Sequence, residues 1–285
     1  MSVQPIYPTP YRISTITATG CIGTCINLDL LYDVLAIESE TNSKLLYIEY
    51  GKKKSERIFK GESKKLTISC RKSKPIKRFD NQVTVVYQMD NGNKLNIKTF
   101  KNGNVQMTGI KEIDNGHSAV DLIINIIKKL YVQGLVDDIN SLINSSYRIR
   151  LINTDYKIGF PIKRELLHKL LKLEYGLVCN YEPVIYPGVK VHYFYNKIHA
   201  SSDGICKCQR NCGERKGGEG NGFGDCKKIT IAIFQSGCII ITGSQTKDQI
   251  EECYKYTNEV LYNNKDLIEK PAIVLPPIGL GSLKV

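Results

Sequence analysis

The spacing of apolar and polar positions changes period repeatedly along this chain. Residues 13–17 are β-branched and alternating, which predicts a strand with one buried face, and residues 28–37 read as a short helix. Residues 83–89 and 95–100 read as strands joined by Asp90-Asn91-Gly92-Asn93, a hairpin turn. A further strand follows Gly103, and then Ala119, Ile123, Ile126, Ile127 and Leu130 form an apolar stripe at helical spacing.

The pattern then repeats. Phe100, Gly103, Thr108 and Gly109 recur 134 residues later as Phe234, Gly237, Thr242 and Gly243. A second helix carries the weaker stripe Cys253, Thr257, Val260 and Leu261. Upstream, an offset of 132 relates residues 13–17 and 28–37 to a strand at 147–153 and a helix at 162–173, with Pro161 near the helix start. Residues 189–195 supply one more strand. Each copy is therefore strand, helix, three-strand meander and helix, an α+β arrangement. One sheet face packs the helices and the other stays open.

This divides the chain into an extension (1–10), repeat 1 (11–134) with a basic insertion (39–78), repeat 2 (147–264) with a Cys/Gly-rich insertion (197–227), and a tail (265–285). From Ile26 to Phe79 is 53 residues against 28 from Ile158 to Tyr186, so the first copy is expanded before its meander. From Phe79 to Phe100 is 21 against 48 from Tyr186 to Phe234, so the second is expanded inside it.

Composition adds a charge argument. At 285 residues and 32.1 kDa, with 42% apolar and 24% charged residues, the chain excludes wholesale disorder. Forty Lys+Arg against 28 Asp+Glu give +12, which points to an anionic partner such as nucleic acid. Residues 51–78 hold twelve basic residues against Glu56 and Glu62, a segment charge of +10; the segment is either a phosphate-tracking arm or a solvated loop. Alternation in Leu66-Thr67-Ile68-Ser69 suggests a strand there. No apolar run approaches the ~20 residues of a membrane span. The first eleven residues have three prolines and no apolar core, so an intracellular location is expected.

Ten cysteines in that setting read as thiols or metal ligands. Cys206, Cys208, Cys212 and Cys226 offer four thiolates, the number a structural zinc requires, against the alternative of a flexible loop with incidental thiols. Cys21 and Cys25 read as buried small residues. The Gly-rich stretch lacks the spacing of a phosphate loop. The four histidines form no catalytic arrangement, and His192 and His199 at most join the metal site, so no enzyme is expected and no cofactor beyond that zinc.

Phe160-Pro161-Ile162, the run Tyr181-Glu182-Pro183-Val184-Ile185-Tyr186-Pro187-Gly188, Lys77-Arg78-Phe79 and the two Phe…Gly…Thr-Gly hairpins resemble the TATA-box-binding protein family, in its element order across both repeats. The divergence and insertions are most similar to the TBP-like proteins of large DNA viruses. The resemblance implies a saddle, a curved antiparallel sheet with helices on its convex face. Its concave face takes the minor groove of double-stranded DNA and bends it with apolar wedges. By resemblance the wedges fall on Phe79, Phe100, Tyr186 and Phe234, with Pro187 after the third. Thr108 and Thr242 face the A·T acceptors on the groove floor, and Ile13 and Ile240 fill apolar slots. From pattern alone, a Phe shortly before a hairpin glycine reads instead as a core residue.

The family's paired asparagines fall on Tyr11 and Leu151, with Asn153 two residues on. Lys98, Gln106 and Asp80 occupy slots that are apolar or small in the family. These departures from the family imply non-specific or altered minor-groove binding rather than strict TATA specificity. The implied function is binding and bending of A·T-rich promoter DNA in transcription initiation, with a TFIIB-type factor and RNA polymerase as partners. The location would be the nucleus, or a viral factory or virion. The alternative is a scaffold or non-specific DNA-coating protein that binds through its basic arm.

Overall fold

A computed structural model of the chain describes residues 7–37, 44–51, 57–61, 81–113, 116–199, 202–209, 212 and 218–271. Phe79, Asp80, the segment 66–69 and the tail beyond residue 271 lie outside the described residues. The chain divides into two compact units, Arg12–Thr154 with Thr242–Lys247, and Met1–Tyr11 with Asp155–Ile241 and Asp248–Val285.

In the first unit, β1 (Arg12–Cys21) leads to α1 (Leu28–Val34), then β2 (Leu45–Gly51), β3 (Arg57–Lys60), β4 (Gln82–Gln88), β5 (Lys94–Phe100), β6 (Asn104–Ile110) and α2 (Gly116–Lys129). The strand order is β3-β2-β4-β5-β6-β1, with antiparallel pairing throughout. α1 starts where the Asn27 side chain accepts from the N–H groups of Asp29 and Leu30 at 3.1 and 3.2 Å. It stops three residues short of the expected end, because Lys60 Nζ donates to the carbonyls of Tyr32 and Leu35 at 2.6 and 2.7 Å and so satisfies the last turn. Part of the segment read as a basic insertion is thus sheet: β2 pairs with β4, and β3 with β2.

β7 (Ser145–Lys157) contributes residues to both units. The second unit continues with α3 (Arg164–Leu173), β8 (Val178–Asn180), β9 (Val189–Tyr195), β10 (Lys227–Ile233), β11 (Cys238–Ser244), α4 (Lys247–Asn263) and α5 (Lys265–Ile268). α3 begins at Arg164 rather than residue 162, since Ile162 is held in a β-bridge to Glu269. The described start of the tail is docked: Ile268 is buried, and Lys270 N–H donates to Pro161 O at 2.8 Å.

Alternation divides each sheet into two faces. In the first unit Val85, Ile97, Met107, Ala18 and Ile16 are buried with Val120, Ile123 and Ile127 of α2. In the second, Val191, Tyr193, Ile229, Ile231, Ile239 and Ile241 pack with Leu167 and Leu171 of α3 and Cys253, Val260 and Leu261 of α4. The α+β class and the order of strand, helix, meander and helix hold in both units.

The duplication is carried by backbone geometry. Gly103 and Gly237 both have φ of +77° and donate to Phe100 O and Phe234 O at 2.9 and 3.0 Å. Ile22 N–H donates to Gly103 O and Ile158 N–H to Gly237 O, each at 2.9 Å. Ile26 likewise reaches Lys101 O, and Ile162 reaches Gln235 O. These pairs place the first strands at an offset of 136, not the 132 read from the sequence. The counterpart of Leu151 is therefore Thr15 rather than Tyr11. The β-bulge in β6 explains the paired Thr-Gly: Thr108 pairs with Thr17 and Ile110 with Ile16, leaving Gly109 as the extra residue at φ +97°. Gly243 repeats this conformation at φ +96°.

Candidate nucleic-acid interface

The sheet face opposite the helices carries Phe100, Thr108, Thr242, Ile13 and Ile240, while Tyr186 and Pro187 lie in the loop before β9 and Phe79 is outside the described residues. In the first unit Thr17, Thr108 and Asn96 lie in one register row, and Thr19, Gln106, Lys98 and Thr84 in the next. Phe100 pairs with Gln82 and shares this face, half-buried rather than in the core. That placement overturns the reading of Phe100 as a core residue. Thr108 and Ile13 are also half-buried, at the same strand parity. A cleft of about 680 Å³ is lined here by Phe100, Lys101, Asn102, Gln106, Thr19 and Arg150, among others. Arg150 Nε donates to Thr19 Oγ1 at 2.8 Å. Phe100 thus stands beside basic and amide side chains.

The second unit presents a pair of rings. Tyr186 and Phe234 lie 5.7 Å apart between centroids, tilted by 57°. They meet because Gly188 has no side chain: a Cβ there would come within 3.0 Å of Tyr186 and 3.2 Å of Phe234. Lys190 Nζ sits 3.9 Å from the Tyr186 ring centroid, a cation–π contact. Arg164 ties the two segments together, donating to Pro187 O and, at 3.0 Å, to Gln235 Oε1, with its guanidinium over the Tyr181 ring. Pro187 itself is exposed, and Ile240 and Thr242 are half-buried on the open parity of β11. Thr242 Oγ1 donates to Asn153 Oδ1, both residues of the first unit, which places Asn153 on the open face beside the threonine. On β9, burial and then the ammoniums of Lys228 and Lys190 hold the His192 imidazole below its ordinary range, so a neutral His192 sits among cations at pH 7.

Arg150, Arg164 and Lys190 escaped the sequence reading, whereas Asn153 is legible there, two residues from a family asparagine position. Arg164 meets Pro187 and Gln235 at separations of 23 and 71 residues, which no local pattern reveals. Arg150 carries a weak signal, the alternation Arg148-x-Arg150 on β7.

The four loop cysteines do converge, their sulfur atoms all lying within 4.8 Å of one another. Burial raises the Cys206 thiol, but the N–H groups of Cys212 and Cys208 and the neighbouring thiols outweigh it and bring it to about 7; burial raises Cys226 well above its usual range. His192 and His199 do not join the group. Cys21 is half-buried and Cys25 exposed, contrary to the expectation of buried thiols.

The two units define an α+β protein of duplicated antiparallel sheets, each with an open face bearing aromatic rings and cations. By sequence the chain is similar to TATA-box-binding proteins. It is 27% identical over 272 residues to a TATA-box-binding protein-like protein of Acanthamoeba polyphaga mimivirus, covering 88% of this chain and 64% of that one. It is 27% identical over 162 residues to a TATA-box-binding protein of Dictyostelium discoideum, covering 57% of this chain and 58% of the other. The chain thus spans about three-fifths of the length of these relatives. Among solved structures it aligns with Methanococcus jannaschii TBP at 16% identity and a TM-score of 0.48, over 90% of this chain and 99% of that one. No protein-family profile matches it. Among the described residues no helix is long and apolar enough to cross a membrane.

Proposed function

We propose that the chain binds the minor groove of double-stranded DNA with the open faces of its two sheets and bends it at promoters. Phe100, Tyr186 and Phe234 would act as wedges, with Pro187, Thr108, Thr242, Ile13 and Ile240 against the groove, and Phe79 as the fourth wedge. The observation that carries this reading is the equivalence of Phe100 and Phe234. Each accepts a backbone bond from a glycine at φ +77° and stands on the face away from the helices. Bent DNA covers more protein surface, which offsets an unstacking cost of a few kcal/mol per step. The TATA-box-binding names of the sequence relatives support DNA binding of this kind; a role in transcription initiation beside a TFIIB-type factor and RNA polymerase, inside the cell, belongs to the same proposal.

Measured by fluorescence bending and gel shift on A·T-rich duplexes, Phe100→Ala with Phe234→Ala is expected to abolish bending. It should weaken binding on the order of 10²-fold, from about 1–3 kcal/mol per stacked ring. Retained bending at wild-type affinity would overturn the proposal. Loss of binding only when residues 51–78 are deleted would favour the non-specific alternative.

A further inference from the structure

We propose that Cys206, Cys208, Cys212 and Cys226 form a structural tetrathiolate zinc site that closes the 197–227 insertion onto Phe194 of β9. The geometry is that of a thiolate tetrahedron. Zn–S bonds of about 2.3 Å set sulfur–sulfur edges near 3.8 Å, and Cys226 Sγ lies 3.5 Å from Cys208 Sγ and 3.9 Å from Cys206 Sγ. All four cysteines carry free thiols.

The surroundings are built for sulfur anions. Gly224 N–H donates to Cys208 Sγ at 3.0 Å, and Asn196 Nδ2 to Cys226 Sγ at 3.4 Å. Asn196 is buried and held in place by bonds to Gly222 O and from Ile198 N–H at 2.7 and 3.2 Å. Such outer donors orient ligands and offset their charge. The Asp225 carboxylate accepts from Glu219 and Asn221 N–H at 3.1 and 3.2 Å, which turns the chain back into Cys226. Gly218 lies against that turn, where a Cβ would come within 2.2 Å of Cys226 O.

Hydrophobic burial does not hold this segment. Its large described apolar residues face solvent: Ile198 is 45% exposed, Ile205 37% and Phe223 84%. What is buried is Phe194, Cys212 and Cys226, with Cys206 and Cys208 packed beside them. A segment this polar and Gly-rich needs another source of folding free energy, and metal ligation by thiolates is one that acts through these residues.

The test is elemental analysis of the full chain, purified under reducing conditions without chelator, followed by Co²⁺ exchange. About one zinc per chain is expected, falling to about a tenth or less in Cys208→Ser and Cys226→Ser but kept in Cys238→Ser, which lies outside the cluster. The cobalt protein should show the thiolate charge-transfer and d–d bands of a tetrahedral tetrathiolate, altered in both Ser variants. If those variants fail to fold, wild-type stoichiometry and the cobalt spectrum decide alone. Zinc at or below about a tenth of an equivalent with no cobalt spectrum would overturn the assignment, as would zinc unchanged in both variants. A bound iron–sulfur chromophore would replace it with the other metal centre that four thiolates accept.

Discussion

The two copies share one backbone design, and the rings described in each have different neighbours. In the second, Tyr186 and Phe234 already touch, Gly188 makes room for them, and Arg164 fixes the segments that carry them. In the first, Phe100 borders a cleft whose other walls are polar and basic, with Arg150 held by Thr19. Tyr186 and Phe234 therefore have little side-chain entropy left to lose on acting as aromatic wedges. Cations stand near the rings of both, Lys101 and Arg150 beside Phe100 and Lys190 and Arg164 beside Tyr186. One hydrogen-bond frame thus carries two different side-chain settings.

The frame itself gives the largest expected effect. Gly103→Ala and Gly237→Ala should each destabilise the protein by about 3 kcal/mol, from left-handed strain together with a backbone collision. A Cβ would lie 2.2 Å from Thr24 O in one case and 2.4 Å from Phe160 O in the other. Gly92→Ala, at φ +80° with nothing within 4 Å, should cost only about 1 kcal/mol. Thermal or denaturant unfolding checks this, and unequal costs at 103 and 237 would break the equivalence of the copies. Next, Arg164→Ala should lower stability by about 1 kcal/mol yet weaken DNA bending about tenfold. Arg164→Lys should fail to rescue it, because the forked guanidinium contact is lost. An equal loss from Arg164→Lys and Arg164→Ala in bending, with binding to unbent duplex unchanged, would sharpen the case for preassembly. Smallest, Arg150→Ala should weaken binding a few-fold and reduce the salt slope by about one. A slope unchanged over a salt titration would remove Arg150 from the phosphate contacts.

Much of this was legible in the sequence for a definite reason. The hairpin and bulge positions require left-handed backbone, so glycine marks them at Gly103, Gly109, Gly237 and Gly243, and the repeat shows through. The first strands carry no such marker, and β-branched residues tolerate a slip in alignment, which is why their offset came out four residues short. β2 read as part of an insertion because Leu45-Leu46-Tyr47-Ile48 is a continuous apolar run without alternation, although its Ile48 and Tyr50 are buried. Cysteine identity announced a ligand set, whereas convergence of the four sulfurs depends on Asn196, Gly218 and Asp225 shaping the loop. The roles of Arg164 and Lys190 arise from tertiary neighbours alone.

Phe194 has a consequence for length. It pairs with Lys228 and continues the alternation of Lys190 and His192, yet it is buried under the cysteine loop. The part of β9 able to meet a ligand therefore ends at His192, a blunt stop set by the loop. A protein that tracks a groove with such a strand covers fewer nucleotides on that side, and nuclease protection should be correspondingly lopsided.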